Sequence, residues 1–219
     1  MQQMPKLGMV SMAAVIAAWA GVCGPPAFAA PAPVPVTGQT ECFDLPGKII
    51  DCARDPGQDG DIQAGVEFPT PRFVDKKNGT VKDRLTGLIW LKNANCLGFI
   101  TFTQALFDTS NLASGSGQCD LSDGSRAGEW RMPNVKELES LIDWGFAPPL
   151  SNAAGTGPFK QGDPFNLRVA AFYWSSTSSP VDGPWDSLVI EPDNGRIYGL
   201  HRTNKTWVWP VRGGEVRGE

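Results

Sequence analysis

Hydrophobic and polar positions change rhythm several times along the chain. From Arg72 onward, "RFVDKKNGTVKDRLTGLIWLKN" alternates short apolar pairs with turn residues, which predicts two or three brief strands: Phe73 and Val74, Thr80 to Lys82, and Leu88 to Leu91. Asn78-Gly79 and Thr86-Gly87 supply the turns, and Asn-Gly between strand formers is a strong hairpin signal. Helical spacing follows. "TFTQALFDTSNLAS" places Phe102, Ala105, Leu106, Thr109, Leu112 and Ala113 on one stripe, and "MPNVKELESLIDWG" does the same with Val135, Leu138, Leu141 and Ile142. The second helix has a marked start, since Asn134 can cap free backbone donors while Glu137 reaches back, and Gly145 is placed to end it. An irregular stretch from 147 to 168 precedes four further strand candidates: "YWSST", "WDSLVIE", "RIYGLH" and "TWVWPVR". "PDNG" at 192 to 195 predicts a tight hairpin between the second and third, and "RTNK" at 202 to 205 joins the third and fourth. Strands at both ends with helices between predict an α+β domain around an antiparallel sheet in which the ends of the domain meet.

The first thirty residues have another texture: one cation, Lys6, then an apolar run, then Ala27-Phe28-Ala29. This predicts a secretory signal peptide over 1–29. Gly21, Gly24, Pro25 and Pro26 interrupt the run, so it is no stable membrane span, and the bulky Val22 disfavours a lipid anchor at Cys23. Residues 30–71 then form a Pro-rich spacer and a small cysteine loop, 72–214 the folded domain, and 215–219 a tail. The expected location is secreted, or cell surface or periplasm.

Export changes the reading of charge and cysteine. Taking Lys6 from the 19 basic residues leaves 18 against 23 acidic ones, a net charge of −5, and taking Cys23 from five cysteines leaves four. An acidic balance argues against a nucleic-acid partner. An even cysteine count in an exported chain favours disulfides, and the sequential pairing Cys42–Cys52 and Cys96–Cys119 is the economical one of three. A four-cysteine zinc site lacks any C-x-x-C spacing. The 8 tryptophans, 25 glycines and 19 prolines describe a loop-rich fold with an aromatic core rather than a helical bundle.

Several strings together resemble one family. "RFVDKKNGTVKDRLTGLIWLKNANC", "EWRMPNVKELESLID", "YWSST" and the closing "VWPVRGG" look like the domain named after the C-terminal region of the Legionella collagen-like adhesin, Lcl, from roughly Arg72 to Gly214. The resemblance implies a C-type-lectin-like fold, with two helices flanking a twisted antiparallel sheet and long irregular loops. It implies extracellular binding rather than catalysis: the founding adhesin recognises sulfated glycosaminoglycans and assembles as a trimer.

The chemistry-bearing residues fit that implication unevenly. "YWSSTSSPVDGPWDS" near the chain's single histidine, His201, invites a serine hydrolase, yet no G-x-S-x-G elbow appears and Ser175 and Ser176 lie inside an apparent strand. "EPDN" at 191 to 194 and "WD" at 185 to 186 resemble a lectin calcium site in reversed order, so no calcium site is carried over, and the lysines in "DKKNGTVKD" spoil a calcium loop. A related fold oxidises cysteines in sulfatases, which needs reactive thiols, and these four read as paired. No cofactor and no enzyme activity are expected. Between Arg196 and Arg212 the chain carries four cations, with Arg202 and Lys205 between them, and no acid. Tyr198, His201 and Trp207 are interleaved with them, and Trp185 lies in the loop before. Cations pair with sulfate or carboxylate and aromatic faces stack on sugars, so Trp185, Arg196, Tyr198, His201, Arg202, Lys205 and Trp207 are the candidate contacts for an anionic glycan, together with the loop region 147–187. The plainer alternative is a solvated hairpin whose charges guard an edge. Trp90, Trp130 and Trp174 are expected in the core; Trp207 and Trp209 share a face that the pattern does not place inside or outside, and Trp185 is open to either reading. Three roles therefore stand: a glycan-binding or protein-binding module, a structural domain whose hairpins make subunit contacts, and, third, an enzyme.

Overall fold

The computed structural model describes residues 34–214; the expected signal peptide, Cys23 and the tail from 215 lie outside them. A two-stranded ladder, β1 (Cys42–Phe43) with β2 (Ile49–Ile50), and a single helical turn, α1 (Asp59–Ile62), precede the main body. Strands β3 (Phe73–Asp75), β4 (Thr80–Asp83) and β5 (Ile89–Leu91) follow, then β6 (Ile100–Thr101), α2 (Phe102–Asn111) and α3 (Val135–Glu139). Strands β7 (Tyr173–Ser178), β8 (Asp186–Glu191), β9 (Arg196–His201), β10 (Lys205–Val208) and β11 (Val211–Arg212) complete the chain. The architecture is mixed α+β with few helices and mainly antiparallel sheets.

Both Asn-Gly hairpins form where the sequence places them. Gly79 at φ +85° turns β3 into β4, and Gly195 at φ +66° turns β8 into β9, a backbone region open to glycine at no steric cost. The ends of the domain also meet, because β11 pairs with β5 in a four-stranded sheet of order β11-β5-β4-β3.

Four expectations need correction. "TWVWPVR" is two strands rather than one: β10 belongs to a five-stranded sheet of order β6-β10-β7-β8-β9, while β11 belongs to the other. The break falls at Trp209-Pro210, where proline has no N–H for a ladder and the Pro210 carbonyl instead accepts from Leu91 at 3.0 Å. "RTNK" consequently closes no hairpin, since β10 crosses over to lie parallel to β7, with Trp207 opposite Tyr173, and antiparallel to β6. The sheet is therefore not wholly antiparallel. The third correction concerns α3, which has the expected capping box but stops at Glu139. The backbone beyond is taken by tertiary partners: Asp143 N–H donates to Pro149 and Trp144 N–H to Thr37. Gly145 is not in the left-handed region; it is needed because a Cβ there would lie 2.4 Å from the Gly38 carbonyl. In α2 the stripe is narrower than expected, and Leu106 is exposed.

The main core joins both sheets and α3 through Phe73, Val81, Trp90, Leu138, Tyr173, Ile190 and Trp209. Trp90, Trp130 and Trp174 are buried, as is Trp209, whose indole N–H donates to the Leu91 carbonyl at 2.9 Å. Burying such rings on the order of 150–250 Å² each supplies the largest single contributions to the core. Both disulfides form as the spacing suggested, Cys42 with Cys52 and Cys96 with Cys119. The stretch before Arg72 lies against the domain: Pro35 bridges Val66, and the Phe68 ring sits 4.4 Å from the guanidinium of fully buried Arg72.

Candidate ligand-binding groove

The five-stranded sheet carries every one of the candidate contact residues except Trp185, which immediately precedes β8, and Arg202, which follows β9. Strand β9 is an edge strand, so Arg196, Tyr198 and His201 stand along an exposed margin. They do not converge. Arg196 pairs with Glu191 at one end of the β8–β9 ladder and His201 with Asp186 at the other, roughly 17 Å apart at the usual strand rise.

Convergence occurs beside them, in a groove of about 650 Å³ where the start of β7, the start of β10 and the end of β8 come together. Phe99, Phe172, Leu200 and Trp207 supply its apolar walls, and Arg168, Glu191 and Lys205 its charges. Lys205 and Trp207 are thus placed together as the sequence proposed, while Tyr198 reaches the wall by packing edge-on against Phe172 at 5.5 Å. The Arg168 guanidinium lies 4.8 Å over the Trp207 ring, and the Phe99 ring is tilted against the same indole at 5.9 Å. One face of Trp207 is therefore already covered by a cation, and the free aromatic surface belongs to Phe99 and Phe172, which are 56% and 37% exposed.

Second contacts fix these groups. Tyr173, buried beneath the groove, accepts the Arg168 backbone N–H at 2.8 Å and donates to Asn95 Oδ1 at 3.1 Å. Burial pushes its phenol well above the usual range, so it remains a neutral donor. Thr206 donates to the Phe172 carbonyl, tying β10 to the chain entering β7. Glu191 accepts from Asn194 Nδ2 at 2.7 Å and from the Tyr198 hydroxyl at 3.4 Å. Among the described residues, Arg168, Lys205 and Glu191 have no ion-pair partner, whereas Arg212 is bound to Asp123 at 3.0 Å. Arg168, Phe99 and Phe172 escaped the sequence reading. The groove draws on segments from 99 to 207, and the only local hint was an arginine closing the irregular stretch just before a strand.

The hydroxyls of the serine-rich stretch are occupied by backbone. Ser175 Oγ donates to the Leu188 carbonyl at 2.7 Å, Ser187 Oγ to Thr177 at 2.9 Å and Ser176 Oγ to Pro133 at 3.3 Å, around a register shift between Trp174 and Ser178. His201 Nδ1 lies 2.8 Å from Thr203 Oγ1, beyond the end of the strand. In "DKKNGTVKD", Asp75 is held by Lys77 at 2.8 Å and Lys92 at 2.7 Å, inside a separate polar pocket of about 320 Å³. Burial raises the Asp75 carboxyl, but the hydrogen bonds from the two lysines outweigh it and hold the group well below the carboxylate range. Among the described residues no three His, Cys, Asp or Glu side chains gather as metal ligands.

Two disulfides on a mixed α+β scaffold are consistent with an extracellular module, and the groove at the sheet end is lined by aromatic, charged and small residues together. The Lcl C-terminal domain model matches residues 79–212, more than half the chain, and the protein belongs to that family. No curated protein matches the chain. Among the described residues no helix is long and apolar enough to cross a membrane.

Proposed function

We propose that the protein is an exported, non-enzymatic binding module of C-type-lectin-like type that holds an anionic glycan in the groove between Phe99 and Phe172, at a cell surface or in the surrounding medium. The observation that carries this reading is the pairing of two unneutralised cations, Arg168 and Lys205, with exposed aromatic walls in a concavity of ligand size. A guanidinium and an ammonium offer charge-assisted hydrogen bonds to sulfate or carboxylate, and ring faces accept the C–H surface of a sugar. The serine hydroxyls committed to carbonyls favour binding over catalysis, since an acylating serine needs a free hydroxyl beside a base.

Retention of the protein on immobilised heparin tests the reading. Binding should be released by moderate salt, because exposed charges are screened over about 8 Å at physiological ionic strength. Arg168→Ala and Lys205→Ala should each elute earlier, and retention that ignores both changes overturns the assignment.

A second reading is favoured by β9, a six-residue edge strand with an open outer ladder. There the hairpins make subunit contacts in an oligomer, a trimer by family resemblance. A concentration-independent oligomer in sedimentation with no heparin retention would support it.

A further inference from the structure

Arg202 was expected to offer its charge to a ligand, but three elements of the fold meet on it. Its guanidinium lies 4.6 Å over the Phe102 ring at the start of α2, and Nη2 donates to Ser178 Oγ at the end of β7. Nε is buried without a hydrogen-bond partner. The Arg202 backbone N–H donates to the Trp185 carbonyl at 3.1 Å, and its carbonyl accepts from Phe102 at 3.3 Å. One residue therefore joins the first turn of α2 to both roots of the β7–β8 loop.

That loop is folded down rather than free. Ser179 N–H donates to Asp186 at 3.0 Å, Asp186 N–H to Gly183 at 3.1 Å, and Ser179 Oγ to Asp182 Oδ2 at 2.6 Å. Asp182 rests directly on β9, where a Cβ at Gly199 would come within 2.0 Å of its carboxylate, so a side chain there would push Asp182 off the strand. The outer side of the loop is apolar. Val181 is 90% exposed and Trp185 72%, against a core whose other indoles at 90, 130, 174 and 209 are almost fully covered.

We propose that Arg202 is a positioning residue: it clamps the 178–186 loop and so holds Trp185 and Val181 outward as a second contact for the same anionic glycan, outside the groove, without touching ligand itself. The proposal rests on the binding reading above. Its chemical basis is the planar guanidinium, which stacks on Phe102 with one face while its edge donates to Ser178; a lysine ammonium carries the same charge but has no face to stack.

Hydrogen exchange and heparin retention of the whole protein test it together. Arg202→Ala should speed exchange of the Ser179 and Asp186 amides about tenfold, the loss of a charge-assisted hydrogen bond, with the rest of the sheet unchanged. Ser178→Ala, which removes only the acceptor, should reproduce part of the effect and serves if Arg202→Ala fails to fold. On heparin, Arg202→Ala and Trp185→Ala should each weaken retention, and the double variant should be no weaker than Trp185→Ala alone. Arg202→Lys should not restore retention. Full restoration by lysine, additive losses, or unchanged loop exchange in both Arg202→Ala and Ser178→Ala would overturn the clamp. If the wild-type protein is not retained on heparin, the binding reading fails, and the exchange experiment still decides whether Arg202 holds the loop.

Discussion

The Tyr173 hydroxyl accepts the Arg168 backbone N–H at 2.8 Å from a fully buried position under the groove. Arg168 closes an irregular stretch of the chain, where no ladder bonds hold it, so this contact sets where its guanidinium lies over Trp207. Tyr173→Phe keeps the ring and removes the acceptor. It should cost about 1 kcal/mol in urea unfolding, the usual net worth of one hydrogen bond, and leave the Asn95 amide oxygen without its donor. Heparin retention should weaken although no charge has changed. A Tyr173→Phe protein with normal retention would show that Arg168 is positioned by its stacking on Trp207 alone.

Acid should act on the β3–β4 hairpin through Asp75. Its carboxyl is held below the ordinary value of 3.8, so the folded state binds its proton less readily than the unfolded chain. The stabilisation is fully present above that value and is lost as pH falls below it. Lys77 contributes through its ammonium and its backbone N–H, and Lys92 through an ammonium that is only 28% exposed and so less screened than that of Lys77, 82% exposed. Asp75→Asn should therefore cost about 1 kcal/mol at pH 7 and progressively less below pH 3.8, as the wild type loses the same contribution. A gap between the two proteins that stays constant down to pH 2 in denaturation curves would refute this assignment.

A different dependence holds at Arg72, which is wholly buried between the Phe68 and Phe73 rings and 3.7 Å from Asp83. Desolvation pulls its guanidinium below the usual range, and Asp83 and Asp143 act in the opposite direction. Removing one partner of a buried pair leaves the other charge uncompensated, at a cost of about 3–5 kcal/mol. Arg72→Leu should fall in that range in urea or thermal unfolding. Arg72→Leu with Asp83→Asn should be less destabilised than the two single changes summed, because the stranded charge is gone. Strict additivity would mean that Arg72 stabilises the fold through its packing on the two rings.

Local chemistry was readable in the sequence, and long-range pairing was not. Asn78-Gly79, the Pro192 to Gly195 turn, the Asn134–Glu137 capping box and the two disulfides each depend on residues within a short span, and each took the expected form. The parallel pairing of β7 with β10 leaves no trace in either strand's pattern, because β10 could equally continue a hairpin from β9. The shortened α3 has the same origin, since its last predicted turn is captured by Pro149 and by Thr37 from the stretch before the domain. At the site, Lys205 and Trp207 were legible as a cation beside an aromatic in one strand. Phe99 and Arg168 were not, because only the crossover brings residues more than 60 apart in sequence to one groove. Arg202 was legible as a charge, and only its neighbours Phe102 and Ser178 reveal what that charge is engaged in.

The β8–β9 turn offers a last test, because it ties the sheet that bears the groove to the stretch after α3. Gly195 adopts φ +66°, and a Cβ there would lie 2.7 Å from Trp144 Cη2 and 3.4 Å from Ile142 Cγ2. Trp144 is half exposed, and one part of its ring lies over that glycine. Gly195→Ala imposes both a left-handed conformation on a residue with a side chain and a clash with the indole. The backbone strain alone costs about 1–3 kcal/mol, and the indole must swing outward to relieve the contact. Thermal unfolding should show that loss, and acrylamide should quench a larger share of tryptophan fluorescence. Trp144→Ala removes the clash, so Gly195→Ala made in that background should recover part of the stability but not the share owed to the positive φ. Equal destabilisation in both backgrounds would place the whole effect in the backbone and none in the contact with Trp144.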